Sequence, residues 1–303
     1  METLTDFTAL LDKFKAVPEK KRVVVVCPDD EPTYKVVEQC IRENLCNIEI
    51  TAVSNKKESS EKLKALAPEK VEVHYAETPL DAAKAGVRLV HEGKGDVLMK
   101  GLINTDVLLK AVLDKEIGLL PKGNVMSHIA LVNVPTYHKL FMFSDAAVIP
   151  EPTLEQFVSI IKADTTLMRK LGVKKPKVAL IHFTEKVNEK FPHTLDYVKL
   201  KEMAEEGVFG DIAIGGPMDA KTACDLHASQ LKGISNPVAG DSDILILPNL
   251  EAGNIFYKTL TFFAKAEVAG MLSGTKAPVV IPSRADSHES KLAGLAMACL
   301  AVD

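Results

Sequence analysis

An α/β fold with mostly parallel sheets, divided into two domains, is predicted by three features of this chain. Short β-branched runs alternate with helix-patterned segments from Arg22 to Asp114, the order that builds a parallel sheet with helices on both faces. At Asn124 the rhythm changes, and two strand-like runs follow one another directly. The length, 303 residues, suits two domains of ordinary size better than one large core.

Residues 22–27, 48–53, 71–75 and 96–99 read as strands, and 34–45, 57–66 and 79–91 as the helices between them. A further helix runs from Asn104 through Asp114, after which 118–123 break the pattern with two glycines and a proline. Residues 125–134 and 140–149, joined by Pro135-Thr-Tyr-His138, form an antiparallel pair that opens the second domain. A helix over 153–171, a strand over 177–183, a helix over 195–206, a strand over 243–247 and a helix over 253–265 continue it. Strands at 268–272 and 278–281 and a terminal helix starting near Asp286 or Ser287 return to the first domain.

With 47% hydrophobic and 26% charged residues the chain has ample core for a globular enzyme. A net charge of −4 provides no broad basic surface, which argues against nucleic acid as a partner. Five scattered cysteines without a Cys-x-x-Cys pair argue against a disulfide framework or zinc site and fit a reducing cytoplasm. The first seventeen residues lack the apolar core of a signal peptide, and no stretch has the unbroken apolar length of a membrane span.

Ser283 and Arg284 stand where an apolar strand gives way to a helix, so they face unpaired N–H groups and the positive end of a helix dipole. That junction suits an anion, although Asp286 as N-cap with Glu289 three residues on would account for the acids without any ligand. Lys100 ends a strand, and Asn104 or Thr105 opens the next helix, the crevice where open α/β sheets bind ligands. Capping by Asn104 or Thr105, and pairing of Lys110 with Asp106 or Asp114, are the purely structural alternatives. Gly93-Lys-Gly95 precedes its strand and lacks a Gly-Lys-Ser/Thr ending, and no Gly-x-Gly-x-x-Gly follows the first strand. The eight histidines show no metal-ligand spacing, so no metal site is expected; Ser127 and His128 attract notice at the domain junction, where a core histidine is the alternative. Asn254 and Lys258, four apart, share one helix face, with Phe256, Leu260 and Phe263 as the buried stripe.

Lys100-Gly-Leu-Ile-Asn-Thr105, Ser127-His-Ile-Ala130, Tyr137-His-Lys139, Asp145, Pro237-Val-Ala-Gly240, Asp243 to Pro248, Leu250-Glu-Ala-Gly-Asn-Ile255, Tyr257-Lys258 and Ser283-Arg284 together resemble the phosphate acetyltransferase and phosphate butyryltransferase family, closest to the butyryl branch. The resemblance implies a fold similar to isocitrate and isopropylmalate dehydrogenases, two α/β domains with an active cleft between them. Residues 1–122 and 271–303 would form the first domain and 123–270 an inserted second one. It implies reversible acyl transfer between butyryl-CoA and inorganic phosphate, no cofactor beyond the thioester substrate, and a homo-oligomer. Acetyl-CoA as the substrate, or a non-catalytic acyl-CoA-binding protein, are the alternatives.

By the same resemblance Ser283 contacts the reacting thiol region and Arg284 binds substrate or stabilises charge, with Lys100, Asn104, Thr105, Ser127, His128, Asn254 and Lys258 as further binding residues. Lys110 falls where the family has an arginine that binds coenzyme A, keeping the charge and losing the bidentate fork. Ser290 falls where the family has its proposed general base, leaving Asp286 or Glu289 to substitute. Lys221 replaces an aspartate after Gly216-Pro217, for which Asp219 is the candidate compensation.

Overall fold

The computed structural model describes residues 4–234, 236–283 and 286–302. In chain order its elements begin α1 Phe7–Lys15, β1 Lys20–Val26, α2 Glu31–Arg42, β2 Asn47–Ser54, α3 Lys57–Leu66, β3 Val71–Tyr75, α4 Pro79–His91, β4 Val97–Lys100 and α5 Thr105–Val112. There follow β5 Ser127–Asn133, β6 Phe141–Ser144, α6 Leu154–Lys170, β7 Lys177–Ile181, α7 Pro192–Glu205, β8 Ala213–Met218, α8 Ala220–Cys224 and α9 Leu226–Leu231. The last are β9 Ile244–Ile246, α10 Leu250–Phe263, β10 Glu267–Ser273, β11 Val279–Val280 and α11 His288–Ala301. No helix among the described residues is long and apolar enough to cross a membrane.

The chain divides into two compact units, one of Phe7–Met126 with residues 267–302, the other of Ser127–Ala266 with residues 4–6. Residues 4–6 lie with the second because the Leu140 N–H donates to the Leu4 carbonyl at 2.8 Å.

In the first unit β3, β2, β1, β4 and β11 are parallel neighbours in that order, and β10 runs antiparallel to β11. Val23 to Val26 are all buried, as expected of a strand covered on both faces. Helix α11 is buried without a break from Ser290 to Cys299 and packs on α1, α2 and β10. Its small residues, Ala293, Gly294, Ala296 and Ala298, permit that enclosure on every side. The strand expected over 278–281 shrinks to Val279–Val280, because Pro278 and Pro282 have no N–H to give the ladder.

The second unit has strand order β5, β6, β9, β7, β8, with β5 and β6 antiparallel as expected and the others parallel. Its base is pinned by buried Lys139, whose Nζ meets Asp243 Oδ1 at 2.5 Å and Asp241 Oδ1 at 2.7 Å, while Lys177 also pairs with Asp241. Strand β8 escapes sequence reading because Gly215, Gly216 and Pro217 look like a loop. An edge strand tolerates that proline, and Gly216 is required there: its φ is 131° and an added Cβ would come within 2.5 Å of the Leu180 carbonyl oxygen. Helices α1, α8 and α9 are likewise additions to the expected set.

Candidate active site

In the first unit, β1 leads to β2 on one side while β4 lies on its other side, so the strand order reverses between β1 and β4. At such a switch point the loops diverge and open a crevice beyond the carboxyl ends of the strands. Gly101 makes the close approach possible: its N–H donates to Val26 O at 2.8 Å and that of Leu102 to Cys27 O at 2.7 Å, and an added Cβ would sit 2.1 Å from Cys27 O.

A cavity of about 510 Å³ is lined by Lys100, Asn104, Thr105, Asp106, Pro282 and Ser283. Four residues expected from sequence thus share one space, brought together by the parallel pairing of β4 with β11, Leu98 beside Val279 and Met99 beside Val280. Lys100 is only 2% exposed, its Nζ 3.4 Å from the Gly101 carbonyl. Asn104 occupies the N-cap position of α5, but its side chain makes no capping hydrogen bond, so capping does not account for it. An ammonium, two hydroxyls, an amide and a helix N-terminus border this space together with one carboxylate, Asp106, so donors outnumber the acceptor and suit a tetrahedral oxyanion. Among the described residues no three His, Cys, Asp or Glu groups gather as metal ligands.

The terminal junction differs from expectation in one respect. Ser287, not Asp286, is the N-cap of α11, its hydroxyl accepting from the Ser290 N–H at 3.1 Å. Asp286 turns back instead: its Oδ2 accepts from the Ser283 N–H at 2.7 Å, and its own N–H donates to Ser283 O at 3.2 Å. Arg284 lies outside the described residues. Glu289 is exposed in the first turn, and backbone N–H donation, with Ser287 and His288 beside it, holds its carboxyl below the ordinary range, which makes it a weak base. Ser290 turns its hydroxyl into the fold, where Oγ accepts from the Val268 N–H at 3.3 Å. Lys110 is exposed in the last turn of α5, where its charge complements the dipole. The Asp114 carboxylate is taken by the Glu116 and Ile117 N–H groups at 2.8 and 3.1 Å.

Sequence reasoning missed Lys291. Its side chain is 5% exposed and its Nζ meets Asp30 Oδ1 at 2.8 Å, while Asp30 caps α2 through the Thr33 N–H at 3.0 Å. The pair ties the start of α11 to the loop after β1. A lysine amid Leu292, Leu295 and Ala296 was the available signal, since lysine is almost never buried unless paired.

In the second unit Ser127 and His128 open β5 and are both buried. The His128 N–H donates to Asp145 Oδ2 at 3.2 Å, and Asp145 Oδ1 accepts from Ala147 and Val148 at 2.7 and 2.9 Å. Burial lowers the His128 pKa to about 4, so the ring is neutral near pH 7, and its Nδ1 has no hydrogen-bond partner among the described residues. Asn254 and Lys258 are exposed one turn apart on α10, with Lys258 Nζ 4.6 Å from the Tyr257 ring centre. The buried stripe expected on that helix is absent: only Gly253 is buried and Phe263 is 77% exposed. Phe256 and Leu260 instead border a cavity of about 920 Å³. Asp219 caps α8 through the Thr222 N–H at 2.8 Å and pairs with Lys232; burial works against its charge, but these partners hold its pKa at about 2. Asp219 therefore has a structural job.

Residues 70–299 match the family described as phosphate acetyl/butaryl transferase. The phosphate butyryltransferase of Clostridium beijerinckii is 36% identical over 297 residues, covering 97% of both chains. The crystal structure of a branched-chain phosphotransacylase from Enterococcus faecalis superposes with a TM-score of 0.80 at 30% identity, over 93% of this chain and 98% of that one. The 4-hydroxythreonine-4-phosphate dehydrogenase of Klebsiella pneumoniae, at 11% identity, shares the fold with a TM-score of 0.51 over 93% of this chain and 100% of that one.

Proposed function

We propose, from the premise that this chain belongs to the phosphate acetyl/butaryl transferase family and is a phosphate acyltransferase, that its substrate pair is butyryl-CoA and inorganic phosphate. The observation that carries the proposal is the cavity of Lys100, Asn104, Thr105 and Ser283, a donor array matched to phosphate.

A phosphate oxygen attacks the thioester carbonyl carbon. The resulting tetrahedral oxyanion collapses by breaking the C–S bond, and the sulfur leaves as thiolate and takes up a proton. Lys100 and the start of α5 hold the phosphate, and Arg284 with the start of α11 stabilises the oxyanion. Asp286 has one carboxylate oxygen on the Ser283 N–H, which orients the serine loop; in the reverse direction Asp286, in preference to the weakly basic Glu289, accepts the thiol proton. Holding both reactants in one orientation removes up to roughly 7–11 kcal/mol of entropic barrier in ideal cases. The acyl chain is the finer part of the proposal, because one or two methylenes are worth only ~1–3 kcal/mol in a pocket.

The uncovered apolar surface of α10, with Ile255, Phe262 and Phe263 each about two-thirds or more exposed, supports a homo-oligomer. Five free cysteines suit a reducing, cytoplasmic setting.

The test is release of free thiol from butyryl-CoA and acetyl-CoA, each with and without phosphate. Phosphate-dependent release with the higher kcat/KM for butyryl-CoA is expected. A higher value for acetyl-CoA makes the protein a phosphate acetyltransferase, and coenzyme A binding without turnover makes it a non-catalytic binder. In Arg284→Ala a loss of about 10²-fold in kcat is expected.

A further inference from the structure

One residue on the wall of the cavity beyond β4 runs against the chemistry of its neighbours. All six lining residues belong to the first unit. Lys100, Asn104, Thr105 and Ser283 can each donate a hydrogen bond to an anion, whereas the carboxylate of Asp106 offers only acceptors. Asp106 is the second residue of α5 and exposed, and among the described residues its carboxylate makes no hydrogen bond or ion pair. The pairing with Lys110 that four-residue spacing permits is therefore not made.

An acid in the first turn of a helix complements the dipole. That accounts for an acid at the start of α5 and not for one on the cavity wall, where its charge repels the anion that the other side chains attract. The repulsion becomes attraction for one kind of anion, an oxyanion that still carries a proton. Its P–O–H donates to the carboxylate, while its bare oxygens take the ammonium, hydroxyl and amide donors. Near neutral pH inorganic phosphate keeps a proton; sulfate, of nearly the same size and shape, keeps none and meets only the repulsion.

We propose that Asp106 sets the oxyanion specificity of this cavity by accepting the proton of hydrogenphosphate, so that phosphate is admitted and sulfate refused. The assignment rests on the phosphate acyltransferase reading above and names the form of the anion that the site takes. It also orients the nucleophile: the protonated oxygen faces Asp106, and the oxygen left to attack the thioester is a bare one.

The test compares phosphate, arsenate and sulfate at constant ionic strength, because arsenate is larger than phosphate and keeps its proton, which separates protonation from size. In thiol release from butyryl-CoA, Ki for sulfate in the unaltered protein should exceed KM for phosphate by about 10²-fold. In Asp106→Asn, whose amide can donate to a bare oxygen, KM for phosphate should rise about tenfold and Ki for sulfate should fall below it. Asp106→Glu keeps an acceptor and should keep sulfate out. Glu116→Gln removes the same charge from an exposed position beyond α5 and should leave both constants unchanged. Sulfate binding as well as phosphate in the unaltered protein overturns the proposal, as does a lower Ki in Glu116→Gln equal to that in Asp106→Asn, which assigns the effect to net charge. A loss of stability in Asp106→Asn with the sulfate-to-phosphate ratio unchanged also overturns it and leaves the residue a helix-dipole role. Calorimetric titration with each anion, with and without coenzyme A, is read independently of turnover. Binding of phosphate and arsenate but not sulfate, with sulfate admitted in Asp106→Asn, sustains the assignment even if thiol release fails; absence of phosphate binding in both titrations, or equal binding of sulfate, overturns it even if thiol release succeeds.

Discussion

Gly101→Ala places a methyl where the loops after β1 and β4 converge, and the cost can be worked from the contacts. The new Cβ would stand 2.1 Å from Cys27 O, 2.7 Å from Cys27 C and 2.9 Å from Val26 O. All three are backbone atoms of a buried strand end, so no side chain can swing aside. Recovering a normal carbon contact of about 3.5 Å requires the loops to part by roughly 1.4 Å, which strains the hydrogen bonds from Gly101 to Val26 O and from Leu102 to Cys27 O. Overpacking costs ~1–3 kcal/mol and each lost bond ~0.5–1.5 kcal/mol, so about 2–6 kcal/mol is expected in urea unfolding. Gly86→Ala is the comparison: its Cβ meets the Val26 Cγ2 methyl at 2.5 Å, a side-chain atom, and should cost less. Below its melting transition, Gly101→Ala should also raise KM for phosphate, because Lys100 is carried on the displaced strand end. Stability within about 0.5 kcal/mol of the unaltered protein and an unchanged KM would refute the reasoning.

Two further outcomes follow from buried charge. Asp164 is fully buried on α6 with Ser144 Oγ donating to it at 3.1 Å, and burial, together with nearby Asp145, raises its pKa to about 8. A carboxyl whose folded pKa exceeds its unfolded one stabilises the fold below about pH 4 and progressively loses that contribution as pH rises towards 8. Asp164→Asn should remove up to ~1.4 kcal/mol per pH unit of slope from stability between pH 5 and 8, measured by urea midpoints; an unchanged slope counts against it. Lys291→Met should cost ~3–5 kcal/mol by stranding Asp30, and adding Asp30→Asn should restore part of that; purely additive losses would deny the pairing.

Much of the first unit was legible because its signals are local. Val71–Tyr75, Lys57–Leu66 and Pro79–His91 have the spans read from the sequence, since hydrophobic period and turn residues act over a few positions. Caps proved less certain: Asp286 and Ser287 are both good N-caps, and only the fold shows that the Asp286 carboxylate is spent on Ser283. Strand β8 was hidden by its glycines and proline, which a sheet edge accepts and a central strand does not. On α10 the apolar residues have helical spacing, yet most remain exposed, because spacing states which face is apolar and not whether anything covers it.

The sequence by itself determined the alternation of strand and helix, the family, and the residue types suited to phosphate, all of which reside in short-range pattern and residue chemistry. Tertiary structure alone decided that Lys100, Asn104, Thr105 and Ser283 border one space, that Lys291 is neutralised by Asp30, and that Asp219 caps a helix. Those outcomes depend on which strands become neighbours and which charges lose water, and both are set by contacts between residues far apart in the chain.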